Sequence, residues 1–373
     1  MTLPYFPVTG SSSAIVREGE RIMLVCNACR YCEGYCAVFP AMERRLAFPA
    51  GDLRYLANLC HNCGECLYAC QYAPPHAFAI NVPKTLAELR LESYERHAWP
   101  QALARAFRRH SIATSLALVL VMSTVMLLAT VLAGSTAAPA RAADFYRVLP
   151  HAAMVAIFGS VFTFVLGALG IGVARFRRDV AHRRPTWTTA WRALGDVLTL
   201  KNLHASGTDC TGAEESRSPW RRRWHHCTFY GFLLCVASTS VAAVYHVVFG
   251  WEAPYGYGSA PVILGTAGGL GLLVGPAGLY WIGRRLDPAA GDPAQRPGDH
   301  AFLLLLLLTS VTGLALLVWR AGAAMPALLV VHLGTVLALF VTLPYGKFVH
   351  GIYRAAALLQ HAVESSAAGL PRN

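Results

Sequence analysis

Charge is what this chain has least of. Only 14% of its 373 residues are Asp, Glu, Lys or Arg, while 55% are hydrophobic; ordinary soluble domains carry about 25% charged residues. So small a charged share excludes an ordinary soluble globule and points to lipid. The marks of a self-contained enzyme are missing too, with no P-loop, no nucleophile elbow and no pair of carboxylates placed for acid–base work. Glycines 265, 268, 269, 271, 275 and 278 do not form a dinucleotide fingerprint, because no strand precedes them and no acidic residue follows at the required distance. They lie inside an apolar run, where small residues allow helices to approach closely. The opening MTLPYFPVTGSSS has neither a basic segment nor a long apolar one, so no secretory signal is expected. The net charge of +12 gathers beside apolar runs, which is the mark of membrane topology rather than of a nucleic-acid surface.

Cysteine, by contrast, is concentrated. Eight of the eleven lie between Cys26 and Cys70, as Cys26, Cys29, Cys32, Cys36 and then Cys60, Cys63, Cys66, Cys70. Both sets read C-x2-C-x2-C-x3-C, and Pro40 and Pro74 each stand four residues past the last cysteine. Three closely spaced thiolates suit three corners of a cubane, and in two-cluster ferredoxins the fourth cysteine serves the other cluster. The spacing therefore predicts one [4Fe-4S] cluster on Cys26, Cys29, Cys32 and Cys70, and a second on Cys60, Cys63, Cys66 and Cys36. Structural zinc uses four ligands, which leaves a third cysteine surplus in each set. Disulfides require an oxidising compartment, which the topology below contradicts.

Six apolar stretches have the roughly twenty residues needed to cross about 30 Å of hydrocarbon: 111–133, 152–173, 226–249, 260–282, 301–319 and 326–346. The loop 174–225 carries eleven Lys and Arg residues, and Arg105, Arg108 and Arg109 precede the first span; the opposite loops hold only Arg141, Arg147 and Arg320. By the positive-inside rule both termini and the cysteine segment are expected on the cytoplasmic side. The expected fold is all-α: an all-helical two-cluster ferredoxin module followed by a six-helix transmembrane cytochrome-b-like bundle. The expected divisions are a polar leader at 1–20, the module at 21–83, an amphipathic connector at 84–110, the membrane domain at 111–353 and a cytoplasmic tail at 354–373.

Histidine in a span is a functional candidate because burying it is costly. His332 and His350 are eighteen residues apart, five helical turns and about 27 Å of rise, with Pro344 between them as a possible kink. His225 and His246 bracket the third span in the same way. These positions suit two b-type haems, or one, held by His225 with His350 on the inner side and by His246 with His332 on the outer. His226, His151 and His300 are reserve ligands. The plain alternative is that such histidines are ordinary interfacial residues.

The double cysteine motif, the run FAINVPKTLAELR at 78–90, Trp99–Pro100 and six spans together resemble the tricarballylate/citrate-utilisation membrane protein family (TcuB, or CitB). They are also similar to the C-terminal part of the CobZ protein of cobalamin synthesis. His332, then Pro344, Tyr345, Gly346, Lys347 and His350, is locally similar to the dihaem gamma subunit of respiratory nitrate reductase. The resemblance implies a carrier in the bacterial inner membrane that takes electrons from the reduced FAD of a partner dehydrogenase, acting on tricarballylate, and passes them through iron–sulfur clusters and haem b to quinone. Two other readings stand beside it. One is a subunit of a heterodisulfide-reductase-like complex that oxidises quinol. The other, from a different class, is a membrane redox sensor or zinc-binding adaptor.

Overall fold

The computed structural model describes residues 13–132, 145–180, 184–201, 203, 210–211 and 217–368. Five helices form the N-terminal part: α1 (Ala14–Cys29), α2 (Val38–Glu43), α3 (Ala50–Leu59), α4 (Glu65–Tyr68) and α5 (Val82–His97). The short α6 (Gln101–Arg109) leads to α7 (Ser111–Leu132), followed by α8 (Phe145–Val148), α9 (His151–Val180) and α10 (Trp187–Leu198). Then come α11 (Trp220–Phe249), α12 (Ala260–Gly283), α13 (Arg296–Trp319), α14 (Met325–Thr342) and α15 (Val349–Ala367). Among the described residues the only β pairing is a two-residue antiparallel ladder, Cys210–Thr211 against Arg217–Ser218. The fold is all-α, as the absence of alternating patterns predicts.

Local chemistry sets the helix limits. Asn81 caps α5 by accepting from the Lys84 N–H, and Pro83 sits in the first turn, where its missing N–H costs nothing. Thr186 and Thr189 form a capping box at the start of α10. Gly250, at φ +66°, ends α11: its N–H returns to the His246 carbonyl and the Trp251 N–H to the Tyr245 carbonyl.

The helices α7, α9, α11, α12, α13 and α14 are long and apolar enough to cross a membrane. Leu120 and Leu128 of α7 and Val244 and Val247 of α11 point outward; an outward face of this kind is stable against hydrocarbon and unfavourable against water. The chain is a membrane protein. The glycine row packs α12 onto α11: a Cβ on Gly268 would stand 2.8 Å from both the Cys235 N and the Gly231 O. Only glycine permits that approach, as the small-residue reading requires.

The structure divides the chain differently from the expectation. Helix α1 starts at Ala14, inside the stretch read as a leader. Helix α5, read as a connector, contributes Leu86 and Leu89 to the core of the cysteine module. The same core takes Phe176 and Val180 from the end of α9, and Val349, Tyr353, Ala357 and Leu358 from α15. The segment after 353 is therefore no free tail as far as residue 368. Glu364 pairs with Arg45 at 2.7 Å, and Arg44 donates to Ser365. The expected continuous helix from His332 to His350 is also absent, because α14 stops at Thr342 and α15 begins at Val349. Pro344 has no N–H with which to continue the ladder. The loop read at 174–225 is shorter, since α9 runs on to Val180 and α11 starts at Trp220.

Candidate functional site

The cysteines come together across the two motifs. Cys26, Cys29, Cys32 and Cys70 line one cavity of about 240 Å³, which Cys66 also borders. Cys36, Cys60, Cys63 and Cys66 line a narrower one of about 20 Å³. Each fourth cysteine has crossed to the other motif's set. The turns that achieve this use left-handed backbone between the ligands: Arg30 at φ +55°, Asn62 at +59° and Gly64 at +85°. Gly64 is the natural residue for such a position, and Asn tolerates it better than most. The Asn62 N–H points back at the Cys60 Sγ at 3.4 Å.

Burial first, then the neighbouring thiols, pushes Cys26 and Cys32 up to about 12. A crowd of buried thiols ionises only against positive charge, which the iron of a cluster supplies. Among the described residues no three His, Cys, Asp or Glu side chains converge on one single-ion position. Four thiols that each bond a different corner of a cubane surround a volume instead, and the cavity of the first set is of that kind. The donor set of the second is the same, around a tighter space.

Of the histidines, the inner pair meets. The rings of His225 and His350 stand 6.2 Å apart between centroids and perpendicular at 88°. An ion held between two imidazoles at about 2.0–2.1 Å from each nitrogen, with a little over 1 Å more to each ring centre, separates the centroids by about the same amount. His350 gives its Nδ1–H to the Lys347 carbonyl at 2.5 Å, the support a ligating imidazole normally has. His225 Nδ1 is buried without a hydrogen-bond partner among the described residues. These two residues fit a haem.

The outer pair does not form. His246 stacks on His151 with centroids 3.8 Å apart, beside Tyr146, which is too close for an ion between the rings. His332 is bonded at Nδ1 to the Thr312 hydroxyl at 3.0 Å and packs over Gly313. Of the reserve ligands, His226 turns to the Arg222 carbonyl at 2.7 Å and His300 packs edge-on to Tyr280. The helical phases permit the His246–His332 pairing, but the lateral placement of α9 brings His151 in first.

A profile described as "Citrate utilization protein B" matches residues 102–370, and one described as "Citrate utilization protein B Fer4-like domain" matches residues 19–96. "Citrate utilization protein B" of Escherichia coli is 53% identical over 348 residues, 93% of this chain and 92% of the relative. The chain belongs to the citrate utilization protein B family. No solved structure matches it. The family's ferredoxin-like domain ends one residue short of the end of α5, in agreement with the packing of that helix into the cysteine module.

Two arginines that sequence reasoning did not single out join the parts of this family member. Arg221, one turn before His225, donates to the Asn62 carbonyl at 2.6 Å, so α11 holds the loop between Cys60 and Cys63. Arg354, one turn past His350, lies in the electrostatic field of Cys60 and Cys36 and acts in turn on His350 and His225. Tyr68 bonded to Asp287, and Asn62 and Asn81 bonded to the carbonyls of Ala290 and Ala289, fasten the same module to the turns before α13. The Trp220–Arg221–Arg222–Arg223 run was legible only as topology charge. Nothing in the sequence shows which of its arginines faces a cysteine loop.

Proposed function

We propose that this chain is a membrane electron carrier in citrate or tricarballylate utilisation. It accepts electrons from the reduced FAD of a partner, a tricarballylate dehydrogenase-like flavoprotein, and delivers them to the quinone pool. The observation that carries this reading is the adjacency of the second cysteine set to the inner histidine pair, through Arg221 on α11 and Arg354 on α15. Two [4Fe-4S] clusters and a haem b, when bound, supply one-electron steps between a two-electron donor and a two-electron acceptor. Cys26, Cys29, Cys32 and Cys70 hold the outer cluster of the module, and Cys36, Cys60, Cys63 and Cys66 the inner one. His225 and His350 hold the haem, and Lys347 fixes the orientation of the His350 ring through its carbonyl. Reduced flavin gives up two electrons and two protons; quinone takes two of each.

The basic residues around 174–225 and before α7 support a cytoplasmic position for both termini and the module, in a bacterial inner membrane. That position faces the module toward a soluble flavoprotein. The test is an optical and electron paramagnetic resonance spectrum of the purified protein, before and after adding the reduced flavoprotein. Reduction of iron–sulfur and haem signals in turn is expected. Protein with neither signal as purified or after reconstitution refutes the reading, and reduction by quinol but never by flavoprotein reverses its direction.

A further inference from the structure

A cavity of about 50 Å³ lies where α5, α6, the first turn of α7, the start of α13 and the turns between α14 and α15 meet. One water takes roughly 10–15 Å³ by this kind of measure, so the enclosed part holds three or four waters, or the inserted edge of a ring whose remainder lies in the open mouth. Its walls are apolar on the side of Leu91, Ala104 and Phe107. Its floor is an ion pair, with the Lys347 Nζ 2.8 Å from the Asp299 Oδ1 and 3.3 Å from the Gln295 Oε1. Tyr94 lines the same space, and its hydroxyl is buried with no hydrogen-bond partner among the described residues. Buried hydroxyls are rarely left unpaired; this one offers a donor to whatever fills the cavity. The position is equally specific. Ser111, the first residue of the first span, lines it, so the cavity lies at the level where the chain enters lipid. Lys347 touches both the cavity, through its ammonium, and the histidine pair, through the carbonyl that receives the His350 Nδ1–H.

We infer that this cavity holds the headgroup of a membrane quinone, with one carbonyl accepting from the Tyr94 hydroxyl and the other from the Lys347 ammonium. The inference rests on the reading that quinone is the acceptor, and adds where it binds. An apolar wall with a few convergent polar groups is the ordinary make-up of a small-molecule site. The quinone tail leaves past Phe107 toward lipid. Conversion to quinol needs two electrons, which are those delivered to the His225–His350 end of the chain, and two protons. Asp299, 37% exposed, joins the Lys347 ammonium to solvent, from which both protons come.

The test uses the full-length protein in detergent and a fluorescent alkyl-hydroxyquinoline N-oxide, a quinone-headgroup analogue whose quenching reports binding without turnover. Tyr94→Phe removes only the hydroxyl and is expected to weaken binding about fivefold, the worth of one neutral hydrogen bond. Gly298→Leu fills the cavity: a Cβ there meets only the Ser111 Oγ, at 3.9 Å, and leucine favours the helix over glycine. A loss of more than tenfold is expected, with iron–sulfur and haem absorption unchanged. Wild-type affinity in both variants overturns the location and leaves the quinone reading intact. Failure of the wild type to bind the analogue also overturns the location. If chemically reduced protein is in addition not reoxidised by a short-chain quinone, the quinone reading falls with it.

Discussion

Glu364 offers the sharpest test of how the C-terminal helix belongs to the molecule. Its carboxylate accepts from Arg45 at 2.7 and 3.3 Å, from the Tyr55 hydroxyl at 3.2 Å and from Gln360 at 3.0 Å. Arg45 and Glu364 are 8% and 15% exposed, and Arg45 keeps a second partner in Asp52 at 2.8 Å. Glu364→Gln preserves the shape but removes the charge. Breaking a buried pair by deleting one partner costs about 3–5 kcal/mol; with Asp52 still paired to the guanidinium, about 2 kcal/mol is expected here. In a chain of this size that is a fall of a few degrees in apparent Tm. The assay is thermal bleaching of the iron–sulfur absorption in detergent at pH 7, because α15 closes the core of the cysteine module. Burial works to raise the Glu364 pKa, but the bonds from Arg45 and Gln360 outweigh it and hold the group below the usual carboxylate range. The unfolded chain then binds the extra proton on acidification, so this contribution is present above the unfolded carboxylate value and is lost as pH falls through the folded one. Glu364→Gln should flatten that acid limb as well as lower the Tm. An unchanged Tm at pH 7 would refute the assignment of α15 to the module.

His350→Ala should abolish haem absorption in the purified protein while leaving the iron–sulfur signals, and His332→Ala should leave haem content unchanged. Loss of half the haem in the latter restores the outer site. Cys36→Ser should perturb the cluster of the second motif and Cys70→Ser that of the first, read as the electron paramagnetic resonance signal altered and as non-haem iron falling from about eight per chain toward four. The opposite pattern would show that each motif binds its own cluster. Gly268→Leu forces a side chain into the α11 backbone and should destabilise the bundle by about 1–3 kcal/mol, seen as a lower yield of monodisperse protein; an unaffected yield would remove close packing as the reason for the glycines.

What was legible in the sequence was local in origin. The cysteine spacing pointed to a cubane because such a cluster needs three thiolates within a few residues, and the structure brings Cys36 to the cavity of the second motif and Cys70 to that of the first. Six apolar runs of span length gave the six membrane helices, since lipid thickness and helix rise fix that length. Periodicity also places His225 and His350 at the ends of their helices, but it says nothing of lateral neighbours. Tertiary packing alone put His151 against His246 and built α9 and α15 into the module core. The physical reason is that a contact such as Arg45 with Glu364 joins residues far apart in the chain. Its energy comes from burial and charge pairing that no pattern within a single helix encodes.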